Sequence, residues 1–175
     1  MELRDSVVDA WRTSSRTTAF LIESLPRELW RAKLPAVPTR TVCSVGAHLH
    51  NARTSWIRKL GSEHGIDAPE PVDRRRVTQR QLLKALLKSG EGIEALLELG
   101  LRNGGRIPPS KRYVWRNLPL DVGHVLSYFV AHEGHHRGQI VLVARQLGQR
   151  LPTSVTGGLW QWTTRSREGP PRSDV

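Results

Sequence analysis

Apolar positions recur at helical spacing in four long stretches of the chain. Over residues 3–25, Leu3, Val7, Val8, Trp11, Ser15, Thr18, Leu21, Ile22 and Leu25 share one face, which predicts a first helix ending before Pro26. A second helix is predicted from Thr39 or Thr41, either of which can cap it, to Gly61; its stripe is Val42, Val45, Leu49, Ala52, Trp56 and Leu60. Thr78-Gln79-Arg80-Gln81 has the T-x-x-Q form of a capping box and opens a third helix running to about Leu101. Its inward residues are Leu82, Leu83, Leu86, Ile93, Leu96 and Leu97, with Gly90 and Gly92 weakening its middle. Asp121 is placed to cap a fourth helix that continues to Leu147 and stops at Gly148; Val122, Val125, Leu126, Phe129, Ile140, Val143 and Leu147 form its stripe.

The segments between these helices are long. PRELWRAKLPAVPTRT holds three prolines and reads as a connection with one short turn. GSEHGIDAPEPVDRRR and NGGRIPPSKRYVWRNLP read as loops. No alternating pattern marks a strand, and no internal repeat is present. The prediction is an all-α fold, a four-helix bundle over residues 1–152 with long crossover connections. Residues 153–175 end in the Gly/Pro/Ser-rich TTRSREGPPRSDV and are expected to be a largely disordered extension.

Composition narrows the class. A chain of 175 residues suffices for one domain with a substantial core. No apolar run approaches the ~20 residues of a membrane span. The N-terminal residues lack a signal-peptide core, and the single cysteine, Cys43, excludes an internal disulfide, so a cytoplasmic location is expected. The net charge of +11 comes from 27 Lys+Arg against 16 Asp+Glu. The basic residues are scattered rather than interleaved with aromatics, which argues against nucleic acid as a partner.

The candidate chemistry lies in the fourth helix. At ~100° per residue, His132 and His136 fall within the core-facing arc defined by Phe129, as does Glu133, whereas His135 faces solvent. Burying two imidazoles and a carboxylate is unfavourable unless something satisfies them. Imidazoles at i and i+4 stack on one face at a separation suited to gripping one metal ion. On the second helix His48 lies nearer the apolar arc and is the better third ligand. His50 falls on the outer face and is the fallback if the helix is rotated. His64 is expected to be exposed in a loop, and His124 to sit on the polar side of the fourth helix.

His132-Glu133-Gly134-His135-His136 also matches H-E-x-x-H, a zinc-protease signature. The rest of that signature is missing. The only acidic residues after Glu133 are Glu168 and Asp174, in the tail; no histidine follows His136; and Met1 is the only methionine, so no methionine turn is possible.

VGAHLHNARTSWIRKLG on the second helix and YFVAHEGHHRGQIVLVARQLGQRLP on the fourth resemble instead the DinB/YfiT-like superfamily of metal-binding four-helix bundles, over roughly residues 1–152. The resemblance implies that His48, His132 and His136 bind a divalent metal. It also implies a small-molecule substrate and, in many relatives, a homodimer.

Three imidazoles would leave an open coordination position, the mark of a reactive site. Zn²⁺ is the leading ion, with Ni²⁺, Fe²⁺ and Mn²⁺ the alternatives. Two chemistries follow, a metal-bound water attacking an ester, amide or lactone, or a low-molecular-weight thiol attacking an electrophile as thiolate; the non-enzymatic alternative is a metal-stabilised bundle that binds a partner or polyanion. The resemblance favours the second, since relatives include thiol-dependent S-transferases and isomerases. Glu133 has two readings, a catalytic proton acceptor beside the metal or the partner of an arginine such as Arg53. Trp56, Trp115 and Tyr128 are candidates to line a pocket, with core packing favoured for Trp56. Arg137 and Gln139 read as a solvated helix face, and Cys43 as a small buried hydrophobe.

Overall fold

Each of the four apolar stripes becomes a helix in the computed structural model, which describes residues 3–114 and 116–169. The long helices are α1 (Leu3–Glu23), α3 (Val42–Leu60), α4 (Gln79–Arg102) and α5 (Val122–Gln146). Local chemistry sets their ends. Thr41 caps α3 and Thr78 caps α4, each in a reciprocal capping box, with Ser44 and Gln81 closing the two boxes. The Asp121 carboxylate accepts from the His124 amide to start α5. Gly148, at φ +70°, turns the chain just after α5.

Two expectations about the connections and the C-terminus are corrected. The proline-bearing segment holds a one-turn helix, α2 (Arg27–Trp30), and a small antiparallel pair, β1 (Lys33–Leu34) with β2 (Val37–Thr41). These strands are too short and too exposed to carry an alternating apolar pattern, so sequence periodicity could not show them. The chain also stays ordered well beyond residue 152. It forms α6 (Thr153–Gly158) and α7 (Trp162–Arg167). Gly158 packs so closely on Phe20 that a Cβ would lie 2.7 Å from its ring, the Arg165 guanidinium stacks 4.0 Å over the same ring, and Arg16 donates to the Arg165 and Ser166 carbonyls. The expected disorder thus fails over residues 153–169; residues 170–175 lie outside the described residues, as does Trp115.

In the bundle, α1 packs on α4 and α5, and α3 packs on the same two helices, which puts α1 and α3 on a diagonal. The connection over residues 24–41 therefore crosses from one corner to the opposite one. Two of the close approaches depend on glycine. A Cβ on Gly92 would stand 2.5 Å from Ile57 Cδ1, and one on Gly90 would stand 3.0 Å from Ser15 Oγ. The glycines that weaken the α4 pattern are what let α1 and α3 approach it.

The core divides in two. One cluster contains Leu21, Ile22, Leu49, Leu82, Leu86 and Ile140; the other contains Trp11, Trp56, Ile57, Ile93, Val125 and Phe129. Between them, three of the four long helices contribute polar groups: Ser14 and Thr18 of α1, Arg53 of α3, and Glu133 and Arg137 of α5, all buried. Among the described residues no helix is long and apolar enough to cross a membrane.

Candidate metal centre

His48 projects from α3 and His132 and His136 from successive turns of α5. One ring nitrogen from each lies within 4.8 Å of the other two. The His48 and His132 Nε2 atoms are 3.3 Å apart. Two nitrogens bound at ~2.0–2.1 Å to one tetrahedral ion stand about 3.3–3.4 Å apart, so this pair already has the spacing that a shared ion requires. The donor set, three imidazoles with no competing thiolate, fits a borderline divalent cation.

The surroundings favour neutral rings, the form that offers a lone pair. Burial, followed by the neighbouring His136 and His132 and then Arg74 and Arg40, pushes His48 from 6.5 down to about 4. Burial also lowers His132 and His136, with Glu133 opposing the shift in both and Gln139 opposing it in His136. His136 Nδ1–H donates to Gln139 Oε1 at 3.1 Å, which leaves Nε2 free to face the cluster. The Tyr128 ring stacks on His132 with an interplanar angle of 14°, and Trp56 Nε1–H donates to the Tyr128 hydroxyl. Trp56 is buried, as its core role requires.

Glu133 is only 1% exposed, and both its oxygens are engaged. Oε1 accepts from Arg53 Nε at 2.5 Å and pairs with the same guanidinium through Nη2. Oε2 accepts from the Thr18 hydroxyl at 2.6 Å and lies 3.7 Å from Arg137 Nη1, which itself donates to Thr18. Arg53 further donates to the Leu86 carbonyl and lies over the Trp11 ring. Of the two readings of Glu133, the structure contains the ion pair with Arg53. The carboxylate ties α1, α3 and α5 together directly behind the histidines.

The other histidines supply no ligand atom to the cluster, although the exposed His135 ring packs edge-on against His136 at 4.9 Å. His50, expected on the outer face, is instead fully buried. Its Nε2–H donates to the Glu70 carbonyl, and its Nδ1 is 3.0 Å from the Ser89 hydroxyl. That face is covered because the connection after α3 folds back along the helix and α4 closes a second side; Asn51, for example, is held by both backbone groups of Val72. His64 is half-buried rather than exposed. His124 is exposed and paired with Asp121. Arg137, read as solvated, is buried, and Gln139 positions a histidine; the R-G-Q string of the family resemblance was the only sequence signal for either. Leu147, placed in the α5 stripe, is exposed. Cys43 is fully buried, donates to the Val77 carbonyl and has its thiol pushed up by burial, so it is a packing residue.

No curated protein and no solved structure matches the chain significantly. The family model described as the DinB family matches residues 2–168, which includes α6 and α7 as well as the bundle. On that match, covering nearly the whole chain, the protein belongs to the DinB family.

Proposed function

We propose that this protein is a divalent-metal enzyme of the thiol S-transferase type, with His48, His132 and His136 as ligands. The observation that carries the reading is the convergence of three ring nitrogens from two helices within 4.8 Å, with no fourth protein ligand among the described residues. Zn²⁺ best matches this donor set, ahead of Ni²⁺, Fe²⁺ and Mn²⁺. When bound, the ion supplies the Lewis acidity that keeps a coordinated thiol ionised at neutral pH.

The chain's residues do the positioning. Gln139 fixes the His136 tautomer, and Tyr128 holds the plane of His132. Because Trp56 donates into the Tyr128 oxygen, the phenolic proton stays available to a substrate atom entering beside His132. Glu133, held by Arg53, Thr18 and Arg137, orients α5 rather than accepting protons from solvent. This supports thiol transfer over hydrolysis. Glu133 is the only carboxylate whose charge registers at His132 and His136, and with both oxygens engaged it is no free base to assist attack by water, which a metal ionises less completely than a thiol. A thiol that ionises on binding needs none. A homodimer, which the family resemblance implies, belongs to the same reading and is checked by sedimentation.

The test is elemental analysis of protein purified without added metal, followed by incubation with small thiols and monochlorobimane. One equivalent of metal is expected, together with thiol-dependent conjugation that disappears in His132→Ala. A protein that folds without retaining any divalent ion, or conjugation that survives His132→Ala, overturns the reading.

A further inference from the structure

A second candidate site lies away from the histidines, between the outer sides of α1 and α4 and the C-terminal α7. It is a half-enclosed cavity of about 730 Å³, within the range of small-molecule sites. Its walls are mostly apolar, with Phe20 of α1 and Leu83 and Leu87 of α4 as the main surfaces. Its rim is cationic: six Lys and Arg side chains stand against the two carboxylates of Glu23 and Glu168. Glu168 is already paired with Arg165 at 2.6 Å.

Two features point to a ligand. Arg80, Lys84 and Lys88 follow one another at i, i+4 and i+8 along α4, so like charges stack on one stripe, an arrangement that destabilises a helix unless an anion lies against it. Among the described residues none of the three makes an ion pair. Leu83 and Leu87 form a parallel apolar stripe one residue before Lys84 and Lys88. Across the cavity, Arg165 Nε is buried and has no hydrogen-bond partner, while its guanidinium covers Phe20. Apolar walls and a stripe of cations that makes no ion pair together describe a receptor for a molecule with an anionic head and an apolar tail.

We propose that this cavity binds a free amphipathic anion, a medium- or long-chain carboxylate or phosphate monoester. The tail lies on Phe20, Leu83 and Leu87, and the head lies on the Lys84–Lys88 edge. The site is separate from the metal centre, because its residues come from α1, α2, α4, α7 and the chain beside them, whereas the histidines are on α3 and α5.

The probe is 11-(dansylamino)undecanoate, titrated into the full chain in the presence of EDTA so that no metal competes for the carboxylate. Saturable fluorescence enhancement is expected, displaced by dodecanoate and dodecyl phosphate but about tenfold less well by dodecanol. Lys84→Glu/Lys88→Glu, both exposed positions, is expected to weaken the probe by about tenfold or more with unchanged helicity. Leu87→Asp is expected to weaken dodecanoate and dodecanol alike. The proposal is overturned if the probe does not saturate, if dodecanol competes as well as dodecanoate, or if the charge-reversed variant binds as the parent does. Binding to anionic vesicles without binding to the monomeric probe also overturns it, since the surface then reads a bilayer. So does loss of probe binding on self-association at rising protein concentration, which would make a second copy the occupant.

Discussion

Replacing Glu133 with glutamine keeps the side-chain shape and removes the charge that Arg53 was buried against. Arg53 is 1% exposed, and its remaining contacts, the Leu86 carbonyl and the Trp11 ring, do not neutralise it. Removing one partner of a buried pair costs about 3–5 kcal/mol, because the other charge stays desolvated. For a domain of 175 residues, each kcal/mol corresponds to roughly 2–4 °C in Tm, which gives an expected fall of about 6–20 °C. Arg53→Met alone is expected to cost less, because Arg137 still faces the carboxylate. In Arg53→Met/Glu133→Gln the two losses should not add, with a coupling of about 0.5–3 kcal/mol. The assay is thermal unfolding by circular dichroism on metal-free protein, combined with conjugation kinetics well below the variant's Tm. A Tm within about 2 °C of the parent, or strictly additive losses, refutes the account of the ion pair. Loss of kcat with intact stability would refute the positioning role and restore Glu133 as a proton acceptor.

Four further outcomes are expected. His48→Ala should lose metal stoichiometry, whereas His50→Ala should keep it and lower stability by about 1–3 kcal/mol by leaving the Glu70 carbonyl unpaired, as measured by elemental analysis and urea denaturation. Gln139→Ala should weaken metal binding about 10–100-fold in chelator competition, by freeing the His136 ring. Gly92→Ala should cost about 1–3 kcal/mol, because its methyl would meet Ile57, and Ile57→Val in the same chain should recover part of the loss. The pH dependence follows from His48, which is lowered from 6.5 to about 4 mainly by burial. Above 6.5 neither folded nor unfolded protein protonates it, so its contribution is complete. As the pH falls from 6.5 towards 4, the unfolded chain takes the proton and the folded one does not, so stability declines. The urea midpoint of the metal-free protein should drop over this window, and less steeply in His48→Gln.

The parts of the molecule that sequence revealed are those decided locally. The capping box at Thr78 and the Asp121 cap rest on residues three apart, and Thr41 was one of two cap candidates for α3. The inward placing of His132 and His136 needs only the helical repeat and a clear stripe on α5. His50 escaped because that method grants a helix one buried side, whereas α3 has two, the second created by a connection whose path no periodicity records. Arg137 escaped for a related reason: its burial depends on Ser14 and Thr18 of α1, distant in sequence and unremarkable by themselves. The helices after residue 152 were hidden because composition describes the segment alone, and what holds it is Phe20 and Arg16, at the other end of the chain.

His48 and His132 face each other although they lie 84 positions apart in the chain. Neither half of the protein can therefore assemble the cluster, and an ion that needs all three rings has almost nothing to hold in an unfinished chain. Binding then favours only the completed fold, by an amount that grows with the logarithm of free metal. If the proposed ion binds there, cellular metal supply would accordingly influence how long each molecule survives proteolysis.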